Sequence, residues 1–402
     1  MLFVFATIMC FFANSLPFLL VARALQALGA AAALSMMSAM IRNIDPKGLW
    51  GRGIATNTVV VTIASAGAPT IGGLIVTLSD WRYVFALAAP LALLSLWLGR
   101  KALPDIAPIE TPYNLDGAML NMATFGLVFV GLESLVHGDS PVISVAIILA
   151  GVVFAVWFVR HELGESRPIL PVDLLARPVL ALSFAASFFI FIASMLQTVS
   201  LPFRLQHLYG FTPGEVGAVL SPSPLTMMVM SPLASLLSDK VSPGLLGAIG
   251  TTVLAAALIM TAYPPAHPTY WDFAWRMSMC GAGMSLFLAP NSRLIMSETP
   301  RERAATTGGL ISTTRMSGQT LGATLVAALL AMGLGTSPIP ILVGAACALT
   351  AAALSISRVR ISGVAEKNAP PTEAPTCDAF FYRMRSKNFG CDVLAATPRN
   401  GT

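Results

Sequence analysis

Charged side chains are scarce in this sequence. Asp, Glu, Lys and Arg together make up 11% of its 402 residues, whereas soluble domains contain about 25%. Hydrophobic residues make up 55%, and the mean hydropathy is +0.75. This balance argues against the two or three soluble domains that the length alone would suggest. Apolar runs of about 18 residues or more, separated by short polar breaks, instead predict a polytopic membrane protein.

The sequence also lacks the spacings typical of metal sites, disulfide frameworks and common enzymes. Three of its five cysteines lie in apolar runs and two in the C-terminal region, while its four histidines lie in or beside loops. There is no Walker loop, so ATP hydrolysis by this chain is not expected. No metal, cofactor or catalytic residue is predicted. The net charge is +5, but the basic residues do not form one patch, which argues against a nucleic-acid partner.

Twelve apolar segments are candidate membrane spans, numbered here in chain order. Their approximate limits are 1–16, 17–41, 53–78, 82–99, 115–136, 142–159, 178–202, 214–237, 244–263, 271–292, 306–332 and 337–357. The first segment lacks the basic start and the small-residue cleavage site of a secretory signal. We therefore expect it to be a span.

Lys and Arg are concentrated in alternate loops, which predicts the orientation of the chain. The other loops carry little beyond Arg82 and Arg204. The richer loops are predicted to be cytoplasmic, which places both termini on the cytoplasmic side of the cell (inner) membrane. These loops carry Arg42, Lys47, Arg52, Arg100, Lys101, Arg160, Arg167, Arg177, Lys240, Arg301, Arg303, Arg358 and Arg360.

Two longer polar connections, residues 99–116 and 159–178, divide the spans into groups of four, two and six. Residues 361–402 are polar and rich in Pro, Ala and Thr, which predicts a disordered cytoplasmic tail. The predicted units before this tail are an N-terminal four-span bundle over 1–104, a two-span linker unit over 105–177, and a C-terminal six-span bundle over 178–360.

Four polar residues within two spans are the principal candidates for function. Arg23 and Gln26 share a helix face in span 2, and Arg315 and Gln319 share one in span 11. Arg23 is predicted to lie about 9 Å below the outer surface, so snorkelling and a cavity-facing role both stay open. Arg315 is predicted to lie about 14 Å deep in a roughly 30 Å core, too deep to snorkel easily. We expect Arg315 to face a cavity or an ion pair.

Small residues and a proline mark span 3. Ala64, Ala68 and Gly72 recur every four residues and form a stripe that favours close helix packing. Pro69 removes one backbone donor and is expected to kink this helix. A packing role without any transport function is the alternative for the stripe.

Spans 10 and 11 carry two further patterns. Asp272 and Arg276 are spaced for an i, i+4 ion pair, which favours a structural role for Arg276. Gly318 and Gly322 form a G-x-x-x-G pair close to the predicted face of Arg315, which again favours close helix approach.

These stretches resemble motifs of the major facilitator superfamily, and specifically of its fourteen-span drug/proton antiporters (EmrB/QacA-type). RALQALGAAA (23–32) is similar to that branch's fourth-span motif, R-x-x-Q-G-x-G-A-A. ASAGAPTIGG (64–73) resembles the fifth-span motif G-x-x-x-G-P-x-x-G-G, with Pro69, Gly72 and Gly73 matching. Residues 276–325 resemble the thirteenth-span region, and the likeness covers about residues 1–357.

The resemblance implies an all-α major facilitator fold and a small-molecule substrate exchanged for protons across a lipid bilayer. It implies cavity or proton-path positions for Arg23, Gln26, Arg315 and Gln319. It implies a helix-packing role for the residues around Pro69. A periplasmic adaptor protein is a further partner that the resemblance admits.

The motifs are displaced by two spans from their places in that branch. The chain is therefore expected to lack the first two spans and the G-x-x-x-D-R-x-G-R-R loop of the family. SDKVSPG (238–244) is weakly similar to that loop. Its Asp239 and Lys240 would form a cytoplasmic latch or an ordinary charged turn. A mid-membrane carboxylate is also missing, because Asp116 and Glu133 are predicted near opposite edges of span 5.

Three functions follow as hypotheses. The first is proton-coupled export of drugs or other amphipathic compounds by alternating access. The second is a truncated, non-transporting remnant of such a pump. The third is an intact twelve-span importer of a metabolite, which fits the even span number and does not fit the motif positions.

Overall fold

The structure is a computed structural model, and every regular element among the residues that it describes is a helix. It describes residues 1–44, 60, 64, 67–68, 70–102, 114–136, 140–164, 172–238, 240–299 and 303–367. Helices suit a membrane because every internal backbone N–H and C=O bonds within its own segment. Pro69, Asp239 and residues 368–402 of the predicted tail lie outside the described residues.

The helices are numbered in chain order. The first six are α1 (Leu2–Phe11), α2 (Leu16–Ile44), α3 (helical over 70–78), α4 (Tyr83–Ala102), α5 (Leu115–Val136) and α6 (Pro141–Gly164). After a 3₁₀ turn at Val172–Ala176 come α7 (Pro178–Tyr209), α8 (Pro213–Leu220), α9 (Pro222–Leu237), α10 (Pro243–Ala262), α11 (Tyr270–Ser297), α12 (Ala304–Ala331) and α13 (Ile339–Lys367).

Most of the predicted spans coincide with these helices, with two differences. Span 1, predicted over 1–16, is the ten-residue helix α1, which is shorter than a membrane crossing requires. Span 3 is described only in part. Span 8, predicted as a single helix, is divided into α8 and α9 at Ser221. Pro222 has no N–H to donate to the carbonyl of Ala218 one turn earlier. The Ser221 hydroxyl donates to that carbonyl instead, at 2.8 Å. Ser221 keeps right-handed helical dihedrals, φ −66° and ψ −29°, so the chain continues in nearly the same direction.

Eight helices among the described residues are long and apolar enough to cross a membrane. They include α2, α4, α5, α6, α7, α10 and α13, and the α8–α9 segment counts as one. Helices α11 and α12, at 28 residues each, are long enough, but they carry more polar side chains. The polar residues of α11 and α12 are therefore the ones whose surroundings bear most on function.

The largest hydrophobic cluster fills the C-terminal half of the chain. It joins buried side chains of α7, α8, α10, α11 and α13, including Phe273, Phe287 and Leu258. Helices α10 and α11 approach closely because Gly250 and Gly283 face one another, and a Cβ on either would lie 2.6 Å from the carbonyl oxygen of the other. Small residues thus permit the tight helix packing that membrane interiors rely on.

Helices α5 and α6 form a hairpin that packs on the C-terminal half. Within the hairpin, Gly131 and Gly151 leave room for Ile148 and Val128 of the facing helix. A second cluster then joins Leu120 of α5 and Phe158 of α6 to Leu180, Ile295 and Leu310 of the later helices. The predicted linker unit is therefore in contact with α7, α11 and α12.

The chain divides into two units, Met1–Val359 and Arg360–Thr402. The described part of the second unit is the end of α13, over residues 360–367. The finer division into bundles over 1–104, 105–177 and 178–360 stays a prediction.

Two arginines that the charge pattern placed in loops are buried side chains within helices. Arg204 of α7 is 5% exposed and donates to the carbonyls of Thr336 and Ala262, at 3.3 and 3.1 Å. Arg358 of α13 is 1% exposed. Carbonyls and polar side chains of neighbouring helices accept hydrogen bonds from both guanidinium groups. The Nε of Arg358 has no acceptor among the described residues.

Candidate functional site

Arg23 and Gln26 are the first two candidate residues, and they are in direct contact. The Arg23 guanidinium donates to Gln26 Oε1 at 2.6 Å, and it lies 5.8 Å from the ring centre of Phe85 in α4. Gln26 is buried, whereas Arg23 is exposed. The buried amide thus fixes the position of a cation that is open to its surroundings.

Thr7 of α1 completes this arrangement. Its hydroxyl is fully buried, accepts from Gln26 Nε2 at 2.8 Å and donates to the Phe3 carbonyl at 2.7 Å. Close approach of the two helices makes this contact feasible, because a Cβ on Gly29 of α2 would lie 2.6 Å from the Phe3 nitrogen. Sequence reasoning did not single out Thr7, and the only signal for it was a hydroxyl within an apolar run.

Replacing Thr7 by valine tests whether this contact orients Gln26. Valine has the same shape but no hydroxyl, so the Gln26 amide loses its buried acceptor. We expect a loss of about 1–2 kcal/mol in stability, since an unpaired buried amide keeps its desolvation cost. The thermal melting of the purified protein measures this, and Thr7→Ser is the matched control that retains the hydroxyl. Equal melting of both variants would show that the contact does not stabilise the helix pair.

Arg315 and Gln319 lie on α12, and both are half-buried. Arg315 Nε is inaccessible to solvent and has no hydrogen-bond acceptor among the described residues. Next to it, Gly318 and Gly322 bring α12 against α7, because added Cβ atoms would lie 2.7 Å from the Phe188 carbonyl and 2.8 Å from Met195 Cβ. The predicted close approach of this glycine pair is confirmed by these distances.

Asp272 and Arg276 of α11 are in contact, but through the main chain. The Arg276 guanidinium donates to the backbone carbonyl of Asp272 at 2.5 Å. The Asp272 carboxylate instead accepts from the Thr269 nitrogen and hydroxyl at 2.8 and 2.7 Å, and so caps the start of α11. Arg276 is buried against aromatic rings, 4.8 Å from the ring centre of Trp275 and 6.0 Å from that of Phe273. The expected side-chain ion pair is thus replaced by a capping box and cation–π contacts.

A further buried amide, Gln197 of α7, faces α11. It is 8% exposed and donates to the sulfur of Met277 at 3.0 Å. The sequence offered the same signal for Gln197 as for Gln26, an amide within an apolar run, and it was missed because no arginine accompanies it.

The N-terminal and C-terminal halves meet where α3 contacts α8. The Gly214 nitrogen donates to Thr77 Oγ1 at 3.0 Å, and the Thr70 hydroxyl donates to the Gly217 carbonyl at 3.2 Å. Gly73 lies between these bonds, and a Cβ there would lie 2.3 Å from the Pro213 carbonyl oxygen. Only a glycine fits this approach.

The other members of the span 3 motif do not take part in this close approach. A Cβ on Gly72 would meet nothing within 4 Å. Ala64 and Ala68 are exposed. The described residues therefore place the close contact on Gly73, one position after the predicted stripe.

Of the two residues of the predicted cytoplasmic latch, the structure describes only Lys240, whose side chain is exposed.

A buried polar network around Arg358 holds four helices together. The Arg358 guanidinium donates to Ser183 Oγ at 2.8 Å, to Asn291 Oδ1 at 2.5 Å and to the Pro243 carbonyl at 3.1 Å. Asn291 also donates to Ser187 Oγ at 2.9 Å. The network thus links α7, α10, α11 and α13, and all of its side chains are buried.

The helices that are long and apolar enough to cross a membrane, with charged and amide side chains buried among them, define a polytopic membrane protein. Residues 1–323 match the family described as Major Facilitator Superfamily, and the chain belongs to this family. The predicted all-α major facilitator fold is confirmed, and the protein is a multi-pass membrane transporter rather than an enzyme.

Individual relatives show how far the likeness extends. The chain is 37% identical over 362 residues to the uncharacterized transporter YebQ of Escherichia coli K12, covering 90% of this chain and 79% of YebQ. It is 27% identical over 342 residues to the multidrug resistance protein Stp of Mycobacterium tuberculosis, covering 84% of this chain and 63% of Stp. A POT family transporter crystallised with 5-aminolevulinic acid shares the fold, with a TM-score of 0.64, 17% identity and coverage of 90% and 80%.

Proposed function

We propose that this transporter exports drugs or other amphipathic small molecules in exchange for protons. Two bundles of helices would alternately expose a central path to either side of the membrane. The likeness to Stp, a multidrug resistance protein, supports this substrate class. The N- and C-terminal ends are proposed to be cytoplasmic, because the richer set of Lys and Arg loops lies on that side.

The α3–α8 contact is the observation that carries the proposal. It joins the two halves of the chain through Gly73, Thr77 and Gly214. By the orientation proposed above, this contact lies near the outer face of the membrane. Such a contact would seal the outer end of the path, and it would separate when the path opens outward.

Two pairs of polar residues are proposed to line the path. Arg23 and Gln26 would lie on the N-terminal side, and Arg315 and Gln319 on the C-terminal side. We propose that both guanidinium groups contact the aromatic or carbonyl groups of an amphipathic substrate, and that Arg315, whose buried Nε has no acceptor among the described residues, does so most strongly.

Expression in a host that lacks its own efflux pumps tests the function. The wild-type chain is expected to raise tolerance to several amphipathic compounds in a broad panel, and a protonophore is expected to abolish the gain. Arg315→Gln should reduce the gain about tenfold or more, because charge at this depth is retained only where it has a function. Arg360→Gln, which changes an exposed arginine, is the matched control.

Three outcomes would contradict the proposal. The first is unchanged tolerance across the whole panel at normal expression, which would favour a non-transporting protein. The second is compound accumulation above that of the empty host, which would favour import. The third is a gain in tolerance that survives the protonophore.

A further inference from the structure

A groove with a volume of about 710 Å³ lies between α5 and α6. Its wall is almost entirely apolar and includes Met119, Met122, Phe154 and Trp157. The side chains of Met119, Met122 and Trp157 are 56%, 66% and 57% exposed. Gly126 also lines the groove, and a Cβ there would meet nothing within 4 Å, so a larger side chain at this position would project into open space. The volume lies in the range of sites that hold drug-sized molecules.

One end of this groove is acidic. Asp116, in the first turn of α5, lines it and is exposed. Its carboxylate has no hydrogen bond or ion pair with the residues that the structure describes. The other ionisable lining residue is His161, whose Nδ1 lies 4.0 Å from the buried carboxylate of Glu162. A carboxylate at the end of an apolar groove favours a ligand with a cation at one end and apolar groups behind it.

The floor of the groove leads to α12. Leu120 and Phe154 line the groove and also belong to the hydrophobic cluster that contains Leu310 and Ile311. Arg315, the deepest proposed path residue, follows Ile311 by four residues on the same helix. The lining of the groove is therefore part of the same hydrophobic cluster as residues of α12.

We propose that this groove binds amphipathic organic cations from the bilayer before they are exported. The aromatic walls at Phe154 and Trp157 would stack on or attract the cation, and Asp116 would fix its charged end. This inference rests on the proposed export function, since it names the charge of the substrate and where it first binds.

Direct binding tests the groove without requiring transport. The probe is radiolabelled dodecyltrimethylammonium, which carries its cation at one end of an apolar chain, added to the purified full-length protein in phosphatidylcholine nanodiscs. We expect saturable binding by the wild type and about tenfold weaker binding by Asp116→Asn, which keeps the shape and loses the charge. Neutral dodecanol should not compete for the wild-type site.

Filling the groove is the second arm of the test. Gly126→Leu adds a side chain into open space, so the helix should fold normally, and the probe should bind about tenfold or more weakly because its volume is taken. Ala146→Leu is the matched control, since Ala146 is exposed on α6 and does not line the groove. It should bind like the wild type, and melting temperatures confirm that all variants are folded.

The outcomes separate the groove from the export function. The groove proposal is overturned if Asp116→Asn and Gly126→Leu both bind the probe as tightly as the wild-type protein does. It is also overturned if the wild-type protein shows no saturable binding of the probe. Export that is unaffected by these two variants for every cationic compound also overturns it. If the two variants weaken probe binding but the wild-type protein exports no compound, the proposed groove site is supported and the proposed export function is contradicted.

Discussion

Leucine at Gly73 is expected to reduce transport to below about a tenth of the wild-type rate, whereas leucine at Gly72 is expected to leave most of it. Any Cβ at Gly73 would lie 2.3 Å from the Pro213 carbonyl oxygen, while Gly72 has open space. Overpacking costs about 1–3 kcal/mol. In the proposed transport cycle, the protein is in equilibrium between a state in which α3 contacts α8 and a state in which these helices are apart. A cost of about 3 kcal/mol that applies only to the first state would shift this equilibrium by roughly 150-fold.

A disulfide reports on this contact independently of transport. Thr77 Oγ1 and the Gly214 nitrogen are 3.0 Å apart. Cysteines at these two positions, in a chain whose native cysteines are replaced by alanine, should therefore cross-link readily. The cross-link should form with Gly72→Leu and fail with Gly73→Leu. Equal cross-linking of the two leucine variants would show that Gly73 does not control the contact.

Methionine at Arg358 is expected to produce the largest loss of stability, about 3 kcal/mol. Methionine keeps much of the volume of the side chain but donates no hydrogen bonds. Asn291 Oδ1 and the Pro243 carbonyl would then lose a charged donor within a buried network. Hydrogen bonds to charged groups contribute about 1.5–3 kcal/mol each, and removing the buried charge offsets part of that sum.

Arg360→Met is the matched control for this variant. The two arginines are two residues apart on α13, and Arg360 is exposed whereas Arg358 is 1% exposed. Thermal melting of the purified proteins in the same detergent is the measurement. Arg358→Met should melt roughly 5 °C lower, and Arg360→Met should melt like the wild type. If the order were reversed, the network would not be what stabilises this half of the chain.

The spans and the family could be predicted from the sequence because both depend on local properties. In lipid, an apolar run of about 20 residues can satisfy its backbone hydrogen bonds within its own segment only as a helix. The limits of the spans therefore follow from composition. The motif around Arg23 and Gln26 is likewise contiguous, and the structure places these two side chains in contact.

Contacts between distant parts of the chain could not be predicted from the sequence, because they depend on how the helices pack. Arg358 and Arg360 are indistinguishable by composition, and only the face that α13 presents to α7, α10 and α11 makes one of them buried. Gly72 and Gly73 are adjacent and identical, so the sequence could not decide which one meets Pro213. In the sequence, nothing distinguishes Thr7 from the other hydroxyl residues of the spans. Only the packing of α1 against α2 brings its hydroxyl to Gln26.

The division of span 8 at Ser221 has a consequence for how the two halves separate. Helix α8 contacts α3, whereas α9 is held against α11, where a Cβ on Gly281 would lie 2.1 Å from the Ser223 carbonyl oxygen. The joint between them has a side-chain hydroxyl in place of a backbone donor. A hydroxyl can rotate to follow the Ala218 carbonyl while the angle between the helices changes. If the angle between α8 and α9 changed when α3 and α8 separate, this hydroxyl would keep the Ala218 carbonyl paired.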